Sequence, residues 1–215
     1  MWGVADLIPT KDEWNKALCA RHGEDVQKNF SSATVAICGL GGFGSNIAVS
    51  LARAGIGKLI LIDFDRVDIT NLHRQQYKAD QIGMYKTEAL TENLREITPY
   101  ISLEIHTERI TEENAKTLLI DADIICEAFD SAEAKAMLTE IVLAEMKGKY
   151  FVAASGMAGL YDANRIKTRK ITSRFYLCGD EESDVSDGIG LVSSRVMVCA
   201  AHQAHTVLRI LAKQL

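Results

Sequence analysis

The stretch 34–44, TVAICGLGGFG, runs a short β-branched strand into three glycines at G-x-G-x-x-G spacing, Gly39, Gly41 and Gly44, and residues 43–54 read as the helix that follows. A chain that must leave a strand, turn tightly and enter a helix over so few residues fits a βαβ unit of an open sheet, where the turn lets phosphate approach the backbone. The helix start then points free N–H groups and the positive end of its dipole at an anion. A second apolar run, KLILID at 58–63, ends in Asp63, whose carboxylate can accept hydrogen bonds from ribose hydroxyls. The expected ligand class is a nucleotide with its phosphates.

A nicotinamide dehydrogenase and an ATP enzyme explain these residues equally well. Beyond Asp63, however, the chain supplies Asp65, Asn71, Arg74, Gln75 and Lys86. Two cations in this region suit a triphosphate: Arg74 as a planar fork on phosphoryl oxygens and Lys86 as a mobile point charge. In an open α/β sheet the ligand lies beyond the carboxyl ends of the strands. The run DIICEAFD brings Asp130 to that same crevice, where a carboxylate can hold Mg²⁺ together with phosphate oxygens and water. Gly42 in the turn and Ser131 beside Asp130 complete the candidate nucleotide-binding set. Asp130 has an alternative reading as the cap of the helix that follows.

Read together, GLGGFG at 39–44, DFDRVDITNLHRQQY and GMYK resemble the adenylation domain of the ThiF/MoeB/ubiquitin-activating E1 superfamily. EAFD at 127–130, VAASGMAG at 152–159 and RKITSRFYLCGD further resemble a short ThiF subgroup associated with thiamin biosynthesis. The resemblance implies an ATP- and Mg²⁺-dependent adenylyltransferase acting on the C-terminal glycine of a ThiS-like sulfur carrier, with a sulfur donor protein as second partner and a homodimer as the working form. It implies catalysis by Arg74, Lys86 and Asp130, with Asp130 on the metal. Arg21 corresponds in region to an arginine that relatives can supply across a dimer interface; its plain reading is an exposed helix cation. In relatives the segment corresponding to 179–190 passes over the bound tail and can present a cysteine, which makes Cys178 a candidate for a covalent sulfur link, against a plainer reading as a buried thiol. Alternatives are an E1-like enzyme acting on another carboxylate, such as one on modified tRNA, an NAD-binding oxidoreductase, and a non-catalytic scaffold.

The net charge of −5 argues against a nucleic-acid backbone as main partner. No apolar run approaches the ~20 residues needed to cross a bilayer, and the first residues lack a signal-peptide pattern, so a cytoplasmic location is expected. The five cysteines, Cys19, Cys38, Cys126, Cys178 and Cys199, include no C-x-x-C pair, so the paired zinc site of many relatives is not expected. Cys38, Cys126 and Cys199 lie on apolar stretches and read as small buried hydrophobes. Cys199 with His202 and His205 spreads round too much of a helix turn to hold a metal. His73 lies inside the motif at a position the chemistry does not require.

Apolar periodicity predicts one α/β domain over 1–215, with a Rossmann-like, mostly parallel sheet, helices on both faces, and antiparallel strands added toward the C-terminus. Strands are expected near 34–38, 58–63, 101–106, 122–128 and 150–154. Helices are expected near 10–30, 43–54, 80–97 with Asp80 as cap, 111–119 and 131–146, with a closing helix at 193–215. The segment 163–177 is expected to be antiparallel strand, and the acidic loop GDEESDVSDGIG at 179–190 to be solvated and mobile.

Overall fold

A computed structural model describes residues 8–155 and 157–215. Seven strands form one sheet: β1 (Thr34–Cys38), β2 (Lys58–Ile62), β3 (Ser102–His106), β4 (Ile124–Glu127), β5 (Tyr150–Ala154), β6 (Lys167–Lys170) and β7 (Phe175–Gly179), in the order β3-β2-β1-β4-β5-β7-β6. Every pairing is parallel except β6 with β7. The chain fills one side of β1 with β2 and β3, then returns to its other side with β4 and β5. The crevice opens where the order reverses, between the carboxyl ends of β1 and β4, as open α/β sheets require.

Alternation along the central strands decides which helices cover which face. Val35, Ile37, Leu59, Leu61, Ile124 and Cys126 point to one side, where they meet α3 (Gly42–Ala54), α4 (Lys86–Ile97) and α7 (Ser193–Leu211). Ala36, Cys38, Ile60, Ile62 and Ile125 point to the other, under α5 (Ala115–Leu119) and α6 (Ala132–Glu145). Both faces are covered, so the middle strands are apolar between their end residues.

Several expected boundaries are corrected. The single helix over 10–30 is two, α1 (Lys11–His22) and α2 (Glu24–Ser32), broken at Gly23, whose φ of 84° no helix tolerates. The helix expected from Asp80 begins at Lys86. Residues 79–81 form only a 3₁₀ turn, and the next residues are drawn into a short antiparallel contact with the end of the 58–67 segment: Gly83 donates to Val67 O, Val67 donates to Met84 O, and Arg66 bridges Tyr85. The 111–119 helix is reduced to α5, because the Asn114 side chain accepts from the Thr111 N–H and donates to the Arg109 carbonyl in a loop conformation. In the 163–177 region only β6 is antiparallel; β7 extends the parallel sheet beside β5.

The acidic segment after β7 is anchored. Asp180 Oδ2 lies 2.6 Å from Arg195 Nη2 with both side chains buried, and Asp180 also accepts from the N–H and hydroxyl of Ser183. Arg195 donates as well to the Ala158 carbonyl, and the Ser183 hydroxyl accepts from the Ala158 N–H. The expectation of a freely solvated loop therefore fails at its first residues: Asp180 is a structural ion rather than a surface charge. Among the described residues no helix is long and apolar enough to cross a membrane.

Candidate active site

A cavity of about 740 Å³ lies over the switch point. Its floor is the turn between β1 and α3. Gly39 has φ of 90°, and a Cβ there would sit 2.9 Å from the Ala128 carbonyl, so the first glycine lets β1 and the β4 end meet backbone to backbone. At Gly44 a Cβ would fall 1.8 Å from the Gly39 carbonyl oxygen. Gly39, Gly41 and Gly42 line the cavity; Gly44 does not, and its role is to seat α3 on the turn. Gly41 caps α3 without a side-chain hydrogen bond, so no side chain competes for the first N–H groups.

Asp63, directly after β2, is buried and holds this turn in place. One carboxylate oxygen accepts from the Leu40 N–H at 2.6 Å and the other from the Asp65 N–H at 2.8 Å. Burial raises its proton affinity, opposed by the Lys86 charge and the two N–H donors. Tyr77 donates to the Leu40 carbonyl, so both polar groups of that residue are fixed. Lys86 opens α4 and reaches back to Asp65 at 2.8 Å, with the lysine buried and the carboxylate half exposed. The late start of α4 is what brings this ammonium group to the cavity wall.

Asn71, Arg74 and Gln75 leave the 3₁₀ turn Ile69–Asn71 and line the wall beside the glycines. Arg74 Nη1 donates to the Thr70 carbonyl at 3.0 Å, while its Nε is buried with no hydrogen-bond partner among the described residues. Burial pulls the guanidinium's proton affinity below its usual value, against the charge of Asp130. Gln75 Oε1 is likewise buried and unpartnered. Asp130 is exposed on the opposite wall with no hydrogen bond or ion pair to a described residue. The alternative reading of Asp130 as a helix cap does not hold, because Ser131 caps α6, accepting from the Ala134 N–H at 3.3 Å.

Of the twelve residues expected at the site, eleven line this one cavity, Asp130 and Ser131 among them, and Gly44 alone does not. Arg21 is exposed on α1. Cys178 is fully buried between Thr168 and Thr206, and burial pushes its thiol up, so the segment after β7 presents no exposed sulfur. Cys38, Cys126 and Cys199 are also fully buried. His202 Nδ1 pairs with Thr168, and no group of three His, Cys, Asp or Glu among the described residues is arranged to hold a metal.

Sequence reasoning missed two features. Lys135, one turn into α6, lines the cavity and donates to both oxygens of Glu127 at 2.9 and 3.0 Å and to the Ala154 carbonyl at 3.1 Å. Glu127 is buried at the end of β4; burial raises its proton affinity while Lys135 lowers it. A glutamate closing an apolar strand was the available signal, since such a charge needs a buried partner. The second is the Arg109 guanidinium, stacked 4.2 Å above the Phe64 ring at the β2–β3 end of the cavity. Arg109 lies far from the motif in sequence, and nothing near it signals that contact.

This geometry has counterparts among known proteins. The tRNA threonylcarbamoyladenosine dehydratase of Escherichia coli K12 is 32% identical over 148 residues, 68% of this chain and 54% of that protein. The adenylyltransferase and sulfurtransferase MOCS3 of Caenorhabditis briggsae is 32% identical over 120 residues, and ubiquitin-like modifier-activating enzyme 5 of Caenorhabditis elegans 46% identical over 78. The matched parts span 30% and 19% of those two proteins and 55% and 36% of this chain. The fold superposes on a crystal structure of the E. coli dehydratase in complex with ATP with a TM-score of 0.85 at 23% identity, covering 96% of this chain and 98% of that one. The ThiF family model matches residues 15–214, a span that takes in the glycine turn, Arg74, Lys86 and the closing helix, and the chain belongs to the ThiF family.

Proposed function

We propose that this chain is an E1-like adenylyltransferase that uses ATP to activate a carboxylate, and that its substrate is the C-terminal glycine of a small ubiquitin-like sulfur carrier of the ThiS type. The observation that carries the reading is the pair of buried, unpartnered polar atoms, Arg74 Nε and Gln75 Oε1, in a cavity that also holds Lys86 and the open α3 start. Buried polar groups are normally hydrogen-bonded, and a nucleotide with its phosphates supplies partners of both kinds. The relatives' names agree: an adenylyltransferase, a ubiquitin-like modifier-activating enzyme, and a dehydratase crystallised with ATP and with AMP.

In the proposed reaction a carboxylate oxygen attacks the α-phosphorus, and the bond to the bridging oxygen of pyrophosphate breaks. A C-terminal carboxyl group ionises near pH 3.3–3.7 and needs no general base. What the chain must supply is position and positive charge. Arg74 meets phosphoryl oxygens with its fork, while Lys86, held against Asp65, follows the charge that grows on the leaving group. Asp63 keeps the turn in register by holding Leu40. Asp130, whose carboxylate makes no hydrogen bond or ion pair with a described residue, suits Mg²⁺; the ion would neutralise phosphate charge when bound. Sulfide-level sulfur delivered by a sulfur donor protein then attacks the acyl carbon and AMP leaves, giving a thiocarboxylate for thiazole formation in thiamin synthesis, in a cytoplasmic homodimer.

A carboxylate on modified tRNA is the second reading, favoured by the 32% identical match to the E. coli tRNA dehydratase over two thirds of this chain. The acidic net charge weighs against it. Pyrophosphate–ATP exchange decides: the carrier reading expects exchange with an intact carrier and none when its terminal glycine is deleted. Exchange that ignores that glycine, or that requires tRNA, rejects it.

A further inference from the structure

His73, which the chemistry above leaves without a role, stands between Arg74 and a wall of the cavity. Its Nε2 lies 3.2 Å from the Leu191 carbonyl oxygen and 3.4 Å from Arg74 Nη1. Leu191 lines the cavity two residues before α7 and follows Gly190, whose carbonyl accepts from the Gly159 N–H at 3.0 Å. The Leu191 carbonyl therefore belongs to the joined 157–160 and 188–191 stretches that close this side of the site.

One imidazole nitrogen carries either a hydrogen or a lone pair. With a hydrogen, Nε2 donates to Leu191 and presents a donor to a guanidinium that has only donors. With a lone pair, it accepts from Arg74 and faces the Leu191 carbonyl with no hydrogen between them. The two contacts are alternatives, and the choice depends on what else Arg74 binds. Among the described residues, the acceptors on Arg74 Nη1 are the Thr70 carbonyl and this imidazole. A phosphoryl oxygen that takes up the guanidinium donors removes the demand on Nε2. The tautomer with its hydrogen on Nε2 then satisfies the Leu191 carbonyl without opposing a donor of Arg74.

We propose that His73 is a positioning residue that couples anion binding at Arg74 to closure of the 188–191 wall, so that the wall tightens when the nucleotide is in place. The inference rests on the nucleotide-binding reading. By linkage, tightening the wall must strengthen nucleotide binding by the same factor.

The test is hydrogen–deuterium exchange of the whole chain with and without Mg-ATP, for wild type, His73→Phe and His73→Gln, with calorimetry of ATP binding on the same samples. The expected result is that Mg-ATP slows exchange in peptides covering 157–161 and 188–192 by about fivefold in wild type, the factor an ordinary hydrogen bond carries. His73→Phe should bind ATP and show no slowing, whereas His73→Gln, whose amide can donate to the same carbonyl, should recover it. A purely structural role predicts a change in the ligand-free protein and no dependence on nucleotide. Slowing in His73→Phe equal to wild type, or no slowing in a wild type that binds ATP, overturns the coupling while leaving the nucleotide reading intact. Absence of ATP binding by wild type overturns both.

Discussion

Asp63 Oδ2 and the Leu40 N–H, 2.6 Å apart, join the end of β2 to the glycine turn that follows β1. The carboxylate's other oxygen takes the Asp65 N–H, so one side chain sets the turn and the start of the segment leading to Arg74. An asparagine has one acceptor oxygen and must present its NH₂ to one of these N–H groups. Asp63→Asn is expected to cost about 1–3 kcal/mol, the penalty for a buried donor left unpaired, and to weaken ATP binding. Urea denaturation and calorimetry read the two effects.

Gly44 makes a sharper case. A methyl group there would lie 1.8 Å from the Gly39 carbonyl, backbone against backbone, with no flexible side chain to give way. Gly44→Ala should destabilise by at least the ~1–3 kcal/mol typical of overpacking, although the residue does not line the cavity. Retention of wild-type stability in a thermal melt would contradict the packing.

Arg74→Ala and Lys86→Met should each lower carrier-dependent pyrophosphate exchange about 10²–10³-fold, the effect of removing one donor aimed at developing charge. Circular dichroism should show both proteins folded. Arg74→Lys should not restore the rate, because a point charge does not reproduce a planar fork.

The buried pair of Asp180 and Arg195 predicts an acid limb of stability. Burial pushes the Asp180 carboxyl up, but the Ser183 N–H and hydroxyl and the Arg195 guanidinium outweigh it and hold the group below the usual carboxylate range. Its folded-state value is depressed, so the stabilisation is fully present above the unfolded value near pH 3.9 and is lost as pH falls through the folded value. Asp180→Asn should lose about 3–5 kcal/mol at pH 7, where an unpartnered arginine stays buried, and the wild-type advantage should shrink in urea melts below about pH 4.

Cysteine reactivity tests the site from another side. Four of the five thiols, Cys38, Cys126, Cys178 and Cys199, are fully buried, and burial pushes each of them up. Iodoacetamide should modify Cys19 in the folded protein and reach the other four only on unfolding, as read by peptide mass spectrometry. Labelling of Cys178 in the native state would reopen a covalent role for it.

The sheet was legible wherever local pattern and tertiary fate agree. The interiors of the runs at 34–38, 58–63 and 150–154 are apolar because both faces of the parallel sheet are covered, and their ends are bounded by the glycine turn, Asp63 and Ser155. The start of α4 was not legible. Residues 80–85 carry a helical pattern, but Gln81 is buried against Asn93 and the Ala89 carbonyl, and Gly83 adopts φ of 90° to pair with Val67. Long-range bonds there outweigh propensity. The direction of β7 was hidden for a similar reason, since alternation within a strand carries no information about which neighbour it joins. In the site, the motif carried Asp65, Arg74 and Lys86, while Lys135 pairing with Glu127 depends on α6 returning to the end of β4.

Calorimetric titration with Mg-ATP tests the central claim most directly. The account predicts saturable binding of ATP in preference to NAD, weakened at least tenfold by Arg74→Ala and by Lys86→Met in proteins that remain folded. No heat with ATP, or an affinity untouched by either substitution, would contradict it.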